Sequence, residues 1–269
     1  MSQIENKIAL ITGGASGIGK LMGLLLLEKK LDCLVIWDIN PLSLEATTVE
    51  FKEHGYKVYP YIVDIMNTAD VIKYAQIVKQ EVGTIDILIN NAGIIVGKLF
   101  ADYTHLDIEK TMGINSNASM HITAEFLPAM IAQRDGHIIN IASAAGMVSN
   151  PKLSVYAASK WAVIGWSDSL QLEMAAAKTN VKITTVTPYY INTGMFDGVQ
   201  SKLIPIVEPS VAAKKIINGI ENNKRFVRLP WIVYLVPLFK GILPASWFDV
   251  LVGKWIGMHH TMDDFRGRK

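Results

Sequence analysis

The chain has 269 residues, 26 basic against 24 acidic side chains for a formal charge of +2, and a half-hydrophobic composition with mean hydropathy +0.27. A chain this apolar builds a large core, which excludes a disordered protein, and its balanced charge offers no basic face for nucleic acid. Cys33 is the one cysteine, which excludes an internal disulfide and a cysteine-built metal site.

Residues 1–7 are polar and carry Glu5, with no basic-then-apolar signal region. No run approaches the roughly 18 apolar residues of a membrane-spanning helix. A cytoplasmic protein without a metal is the expectation. In chain order, short runs rich in Ile, Val and Leu are expected as strands at 7–11, 32–37, 57–63, 86–89, 137–141 and 182–186. A weaker seventh strand falls at 225–229. Such continuous apolar runs suit strands covered on both faces, as in a parallel sheet. Helices are expected between them at 17–30, 41–54, 68–82, 107–133 and 155–178. The alternation implies right-handed crossovers and one α/β domain over 1–269, a doubly wound parallel sheet of about seven strands flanked by helices. Residues 229–258 differ: they are dense in Trp, Phe, Leu and Val and are broken by Pro230, Pro237 and Pro244. Three readings stay open for them, a pocket lid, a subunit interface, or contact with a membrane surface.

The first strand runs into Gly13-Gly14-Ala15-Ser16-Gly17-Ile18-Gly19, which opens the first helix. Glycines let the backbone turn sharply and bring its N–H groups near a pyrophosphate, where the helix terminus adds favourable partial charge. Asp38 ends the second strand about 20 residues further on, where a carboxylate accepts from ribose hydroxyls and repels a 2′-phosphate. No Lys or Arg stands at Ala15, Ser16, Ile39 or Asn40 to offset that repulsion, so NAD is expected over NADP. Asp64 ends the third strand and either meets the adenine edge or caps the helix beginning near Asn67. Asn90-Asn91-Ala92-Gly93 ends the fourth, with small residues that let backbone lie against a coenzyme.

Tyr156 and Lys160 stand four apart on an expected helix and project from one face. A free phenol titrates near 10, and a neighbouring ammonium favours its ionised form. Ser143 follows the fifth strand at the carboxyl edge, where α/β sites form, and can donate to a substrate oxygen. Asn115 sits inside a helical stretch, where a buried amide is costly unless it binds something. Pro188 to Thr193 follows the sixth strand and is placed to close over the nicotinamide amide.

These pieces resemble, in order, the short-chain dehydrogenase/reductase family: the loop from Thr12 to Gly19, Asp64, Asn90 to Gly93, Asn115, Ser143, Tyr156 with Lys160, and Pro188 with Thr193. The match covers about residues 7–195. The resemblance implies Tyr156 as proton donor and acceptor, and Lys160 as the group that lowers its pKa and binds the nicotinamide ribose. It implies Ser143 as the residue orienting the substrate oxygen and Asn115 as the anchor of a proton-relay water. The implied coenzyme site comprises Gly13, Ser16, Gly17, Ile18 and Gly19; Asp38, Asp64 and Ile65; Asn91, Ala92 and Gly93; Tyr156 and Lys160; and Pro188, Ile191 and Thr193. Ile94, Ile95, Val148, Tyr189, Met195 and Phe196 are expected to wall an apolar substrate pocket.

Tyr189 departs from the family, which usually has Gly after this Pro. Asn192 to Phe196 and the end His259-His260-Thr261-Met262-Asp263 resemble the retinol and lipid-droplet hydroxysteroid dehydrogenases, whose usual N-terminal membrane anchor has no counterpart in the polar residues 1–7. The expected function is NAD-dependent interconversion of a lipophilic alcohol with its ketone or aldehyde, in a homodimer or homotetramer. The alternatives are an NADPH-preferring carbonyl or 3-oxoacyl reductase, and a low-turnover dinucleotide-binding protein at lipid surfaces.

Overall fold

Seven parallel strands form one sheet in the order β3-β2-β1-β4-β5-β6-β7 in the computed structural model, which describes residues 3–201, 203–255 and 257–267. The strands are β1 Ile8–Thr12, β2 Cys33–Asp38, β3 Val58–Ile62, β4 Ile87–Asn90, β5 His137–Ile141, β6 Lys182–Pro188 and β7 Phe226–Leu229. All seven coincide with the runs expected from the sequence. Side chains alternate between two covered faces, as strand geometry requires. Ala9 and Ile11 of β1 pack with Leu34 and Ile36 of β2 in one core, whereas Leu10, Val35 and Trp37 join the other.

The first core lies under α1 (Gly17–Glu28), α2 (Pro41–Glu53) and α7 (Pro209–Glu221). The second lies under α3 (Thr68–Glu81), α5 (Ala118–Gln133) and α6 (Ser154–Ala176). The sequence reading assigns nothing to residues 209–221, yet α7 is demanded by topology: β6 and β7 are parallel neighbours, and such a connection needs a crossover. Its signal was present, with Pro209 in the first turn and Ala212, Ala213, Ile216, Ile217 and Ile220 on one buried stripe.

The single helix expected at 107–133 is three pieces. α4 (His105–Met112) starts two residues earlier at a reciprocal cap between Thr104 and Asp107. A π turn, Gly113–Asn117, then leads into α5. No helix among the described residues is long and apolar enough to cross a membrane.

The strand order reverses between β1 and β4, which opens a crevice beyond their carboxyl ends. After β7 the chain adds a 3-10 turn, α8 (Val236–Ile242), α9 (Ala245–Asp249), a π turn and a final 3-10 turn, Met258–His260. Val233, Phe248, Val252, Met258 and Met262 of this tail are buried in one cluster with Tyr156, Tyr189 and Tyr190, so its inner side packs on the start of α6 and on the segment after β6. Its outer side leaves Trp231, Ile242 and Trp247 each 69% exposed.

Candidate active site

A cleft of about 300 Å³ runs along the carboxyl edge of the sheet from Asp38 to Phe196, large enough for a ligand of cofactor class. Its floor is the loop after β1. Gly13 and Gly17 have φ of +62° and +54°, conformations that cost a side-chain-bearing residue free energy. A Cβ on Gly13 would lie 3.0 Å from Ala92 Cα. Gly19 does not line the cleft, contrary to the expectation. A Cβ there would sit 2.2 Å from Gly13 O and 2.6 Å from Asn91 Nδ2, so its role is to let α1 pack behind the loop. Ser16 is the N-cap of α1 and makes no side-chain cap bond, leaving the first amides of that helix turned to the cleft.

The loop is tied to β4. Thr12 Oγ1 accepts from Asn91 N at 3.0 Å and Ala92 N at 3.1 Å, while Asn91 Nδ2 donates to Thr12 O and Gly13 O. Asp38 accepts from Ala15 N and Asn40 N, both at 3.0 Å, which fixes its carboxylate against the loop. Among the residues lining the cleft, Lys160 is the one basic side chain, and none stands beside Asp38. Asp64 accepts from Met66 N, and the cap of α3 is Asn67, so Asp64 turns the chain without capping that helix. Asp64 and Ile65 both line the cleft, as do Ser16, Gly17, Ile18, Asn91, Ala92 and Gly93. Trp37, Val63 and Ile114 line it too and were not foreseen. Trp37 was read as strand interior, and Ile114 owes its place to the π turn.

Buried amides set the reacting end. Asn90 Nδ2 donates to Asn140 Oδ1 at 2.8 Å, and Asn140 Nδ2 donates to Ser167 Oγ at 2.8 Å, joining β4, β5 and α6. Asn115, placed inward by the π turn, accepts from Ile94 N at 2.8 Å and donates to Ile94 O at 2.9 Å and Ser159 Oγ at 3.1 Å. Ser159 in turn donates to Tyr156 O. Both amide hydrogens of Asn115 are therefore spent on protein atoms, and it does not line the cleft. It positions the strand end and the turn of α6 that carries Tyr156, and the amide has no donor left for a water.

Tyr156 and Lys160 stand together on α6, with Nζ 5.8 Å from the phenol ring centre. Nζ donates to Ile141 O at 2.9 Å. Ser143, directly after β5, accepts from Ala145 N at 3.1 Å and lines the cleft beside them. Burial governs their acidity. It pushes the Tyr156 phenol up to about 12, a rise that the Ser143 hydroxyl opposes, and lowers Lys160 to about 8. Burial is the first cause of both shifts, with Tyr156 5% and Lys160 4% exposed where they line the end of the cleft.

The loop after β6 completes the site. Pro188, Ile191 and Thr193 line the cleft, and a Cβ added to Gly17 would lie 3.7 Å from Thr193 Cβ. Phe196 stands edge-on to Tyr156 at 6.2 Å and to Tyr190 at 5.0 Å. Tyr189 and Met195 are in the wall as expected, Tyr189 with its hydroxyl 3.1 Å from Ser201 Oγ. Ile94 lines the cleft, whereas Ile95 packs into the aromatic cluster and Val148 lines a smaller cavity behind Ser143.

The chain therefore places one phenol, one hydroxyl and one ammonium at the end of a glycine-floored cleft, a set suited to moving a proton on and off an oxygen. A family model described as short chain dehydrogenase matches residues 7–203. Epidermal retinol dehydrogenase 2 of Mus musculus is 37% identical over 99% of this chain and 87% of its own length. Estradiol 17-beta-dehydrogenase 11 of Homo sapiens is 38% identical over 93% of this chain and 84% of its own. A short chain dehydrogenase/reductase from Burkholderia phymatum, solved in complex with NAD, superposes with a TM-score of 0.82 at 24% identity, covering 90% of this chain and 95% of that one. The chain belongs to the short-chain dehydrogenase/reductase family of oxidoreductases.

Proposed function

We propose that the protein is an NAD-dependent dehydrogenase that interconverts a lipophilic alcohol and its carbonyl compound, with Tyr156 as acid and base. The observation that carries this reading is the meeting of Tyr156, Ser143 and Lys160 at one end of a cleft whose other end is the glycine loop and Asp38. The cleft fits a dinucleotide. Side chains at Gly13 and Gly17 would be strained in φ, the free amides of α1 face a pyrophosphate position, and Asp38 stands where a ribose would lie. The unneutralised carboxylate of Asp38 supports NAD over NADP.

When bound, the nicotinamide ring supplies the hydride acceptor or donor, and in its oxidised form a positive charge beside the phenol. In this reading the rest falls to the chain. Ser143 donates a hydrogen bond to the substrate oxygen and holds it against Tyr156. Tyr156 Oη takes the hydroxyl proton in oxidation and returns it in reduction. Lys160, held by Ile141 O, offers its ammonium to the phenolate and to the coenzyme ribose. Asn115 acts through Ile94 and Ser159 as a positioning residue. Displacement of water from the cleft by bound coenzyme and substrate would strengthen each of these charge interactions. Ile94, Met195 and Phe196 leave an apolar approach to the reacting oxygen, and the retinol and estradiol in the relatives' names support a lipophilic substrate.

The test is turnover of a panel of secondary alcohols and ketones with NAD(H). Tyr156→Phe is expected to keep NADH affinity and lose turnover by about 10²- to 10⁴-fold. A Phe variant as active as the parent would remove Tyr156 from its role.

A further inference from the structure

Between the tail and the segment after β5 lies a chamber of about 200 Å³ that neither the coenzyme nor the reacting groups use. Val148, Phe248 and Val252 give it a buried apolar wall. Leu243 and Ala245 add to that wall, and Ser149 and His259 stand among them. Lys240 and Asp249 line it where they are exposed to solvent. The Lys240 ammonium is already engaged: it donates to Met147 O at 2.8 Å and lies 3.9 Å from the centre of the Trp161 ring. The chamber therefore does not call for an anionic ligand.

Three spaces follow one another. Ser143, Tyr156, Tyr189 and Phe196 line both the cleft and a small cavity of about 20 Å³. Among the described residues, Val148 alone lines both that cavity and the chamber. A substrate oxygen held by Ser143 and Tyr156 thus borders the small cavity, and the chamber begins at Val148, one residue beyond. The dinucleotide takes the cleft of about 300 Å³, a volume at the lower end for enclosing one ligand. The small cavity admits a group of water size and no carbon skeleton. A lipophilic substrate needs more room than these leave, and the adjoining space that has it is the chamber. The backbone of Val148 is fixed by its N–H, which donates to Ala144 O at 3.0 Å. Its side chain, an isopropyl group with few rotamers, therefore decides passage.

We propose that the chamber receives an apolar arm of the substrate and that Val148 is the specificity-determining residue at its entrance. An entrance controlled by one side chain suits an unbranched aliphatic arm and not a fused ring. At about 30 Å³ for a group of water size, close to that of a methylene, the 200 Å³ holds about six or seven chain carbons. A longer arm emerges at Lys240 and Asp249 and gains nothing further. This inference rests on the alcohol dehydrogenase reading above, and its test separates the two.

The experiment measures kcat/KM with NAD for unbranched secondary alcohols lengthened one carbon at a time. In the parent it is expected to rise about two- to fourfold per methylene, the worth of burying one, and to level off once about six or seven carbons have entered. Proteins are compared by the ratio of a long to a short member within each, so that general damage from a substitution cancels. Val148→Phe blocks the entrance, and Ala245→Trp fills the chamber from the exposed start of α9. Each is expected to lower the ratio at least about tenfold. Trp247→Ala, on the outer side of α9, keeps it within about twofold of the parent. Should Val148→Phe not fold, Ala245→Trp decides. A parent ratio that does not rise with length, a rise that survives either blocking substitution, or one lost in Trp247→Ala overturns the proposal. Failure of the parent reading looks different: no alcohol of any length is oxidised. The chamber is then tested by the same ratio, read as affinity of the matching ketones for the NADH complex.

Discussion

Replacing Lys160 by Met is expected to stabilise the protein at neutral pH while removing its activity. Lys160 is enclosed on α6, and burial lowers it from its ordinary 10.5 to about 8. The unfolded chain therefore holds this proton more tightly than the folded one. Each tenfold difference in proton affinity is worth about 1.4 kcal/mol, so keeping the cation in the fold at pH 7 costs about 3 kcal/mol. The cost is present in full below about pH 8 and fades as pH rises towards 10.5. Lys160→Met abolishes it but loses the bond to Ile141 O, which returns about 1 kcal/mol. The net gain near pH 7 is about 2 kcal/mol, or roughly 5 °C in Tm for a chain of this size. At pH 10.5 the sign reverses, because the parent's lysine is then neutral and still bonded. Thermal unfolding of the ligand-free proteins at pH 7 and pH 10.5, with turnover measured alongside, makes the check. A variant less stable than the parent at both pH values, or a difference that ignores pH, would falsify the burial argument.

Asp38→Ala is expected to narrow the preference for NADH over NADPH by at least about tenfold in kcat/KM, because a carboxylate near a 2′-phosphate repels it by several kcal/mol at protein-surface dielectric. An unchanged ratio would show that discrimination lies elsewhere. Gly19→Ala drives a Cβ to 2.2 Å from Gly13 O, a backbone atom that cannot step aside without moving the loop. NADH affinity, followed by fluorescence titration, is expected to fall at least about tenfold in a protein that still folds; wild-type affinity would dissociate the loop's shape from binding. Gly198→Ala places a Cβ 2.0 Å from Asp264 O at a φ of +84°, where the tail lies on the loop that follows β6. Release of the tail is expected to raise the substrate KM several-fold and to lower stability by about 1–3 kcal/mol, with NADH affinity near that of the parent. Equal KM values would mean that the tail does not shape the pocket.

Strands were the most legible part of the fold, since a sheet covered on both faces writes each strand as an unbroken apolar run. The glycine loop, Asp38 and the Tyr156–Lys160 pair were legible for a related reason: their geometry is set within a few residues. α7 had a readable stripe, and passing over it left two parallel neighbours without their crossover. The π turn at Gly113–Asn117 was not legible, because a one-residue widening of a helix leaves the apolar repeat on either side intact. That turn decides where Asn115 points, and so whether its amide meets a water or the chain. Asn150 carries no sequence signal, because its partner Thr261 lies 111 residues away.

The sequence by itself determined the layered α/β fold, the position of the coenzyme loop at the end of β1, and the pairing of phenol with ammonium on one helix face. Each of these follows from spacings of two to four residues, over which backbone geometry leaves little choice. Only the tertiary structure decided how deeply Tyr156 and Lys160 are buried and which distant segments pack around them. Burial is the sum of surfaces brought by segments far apart in the chain, here the loop after β6 and the tail from residue 230 onward, and no local pattern records that sum.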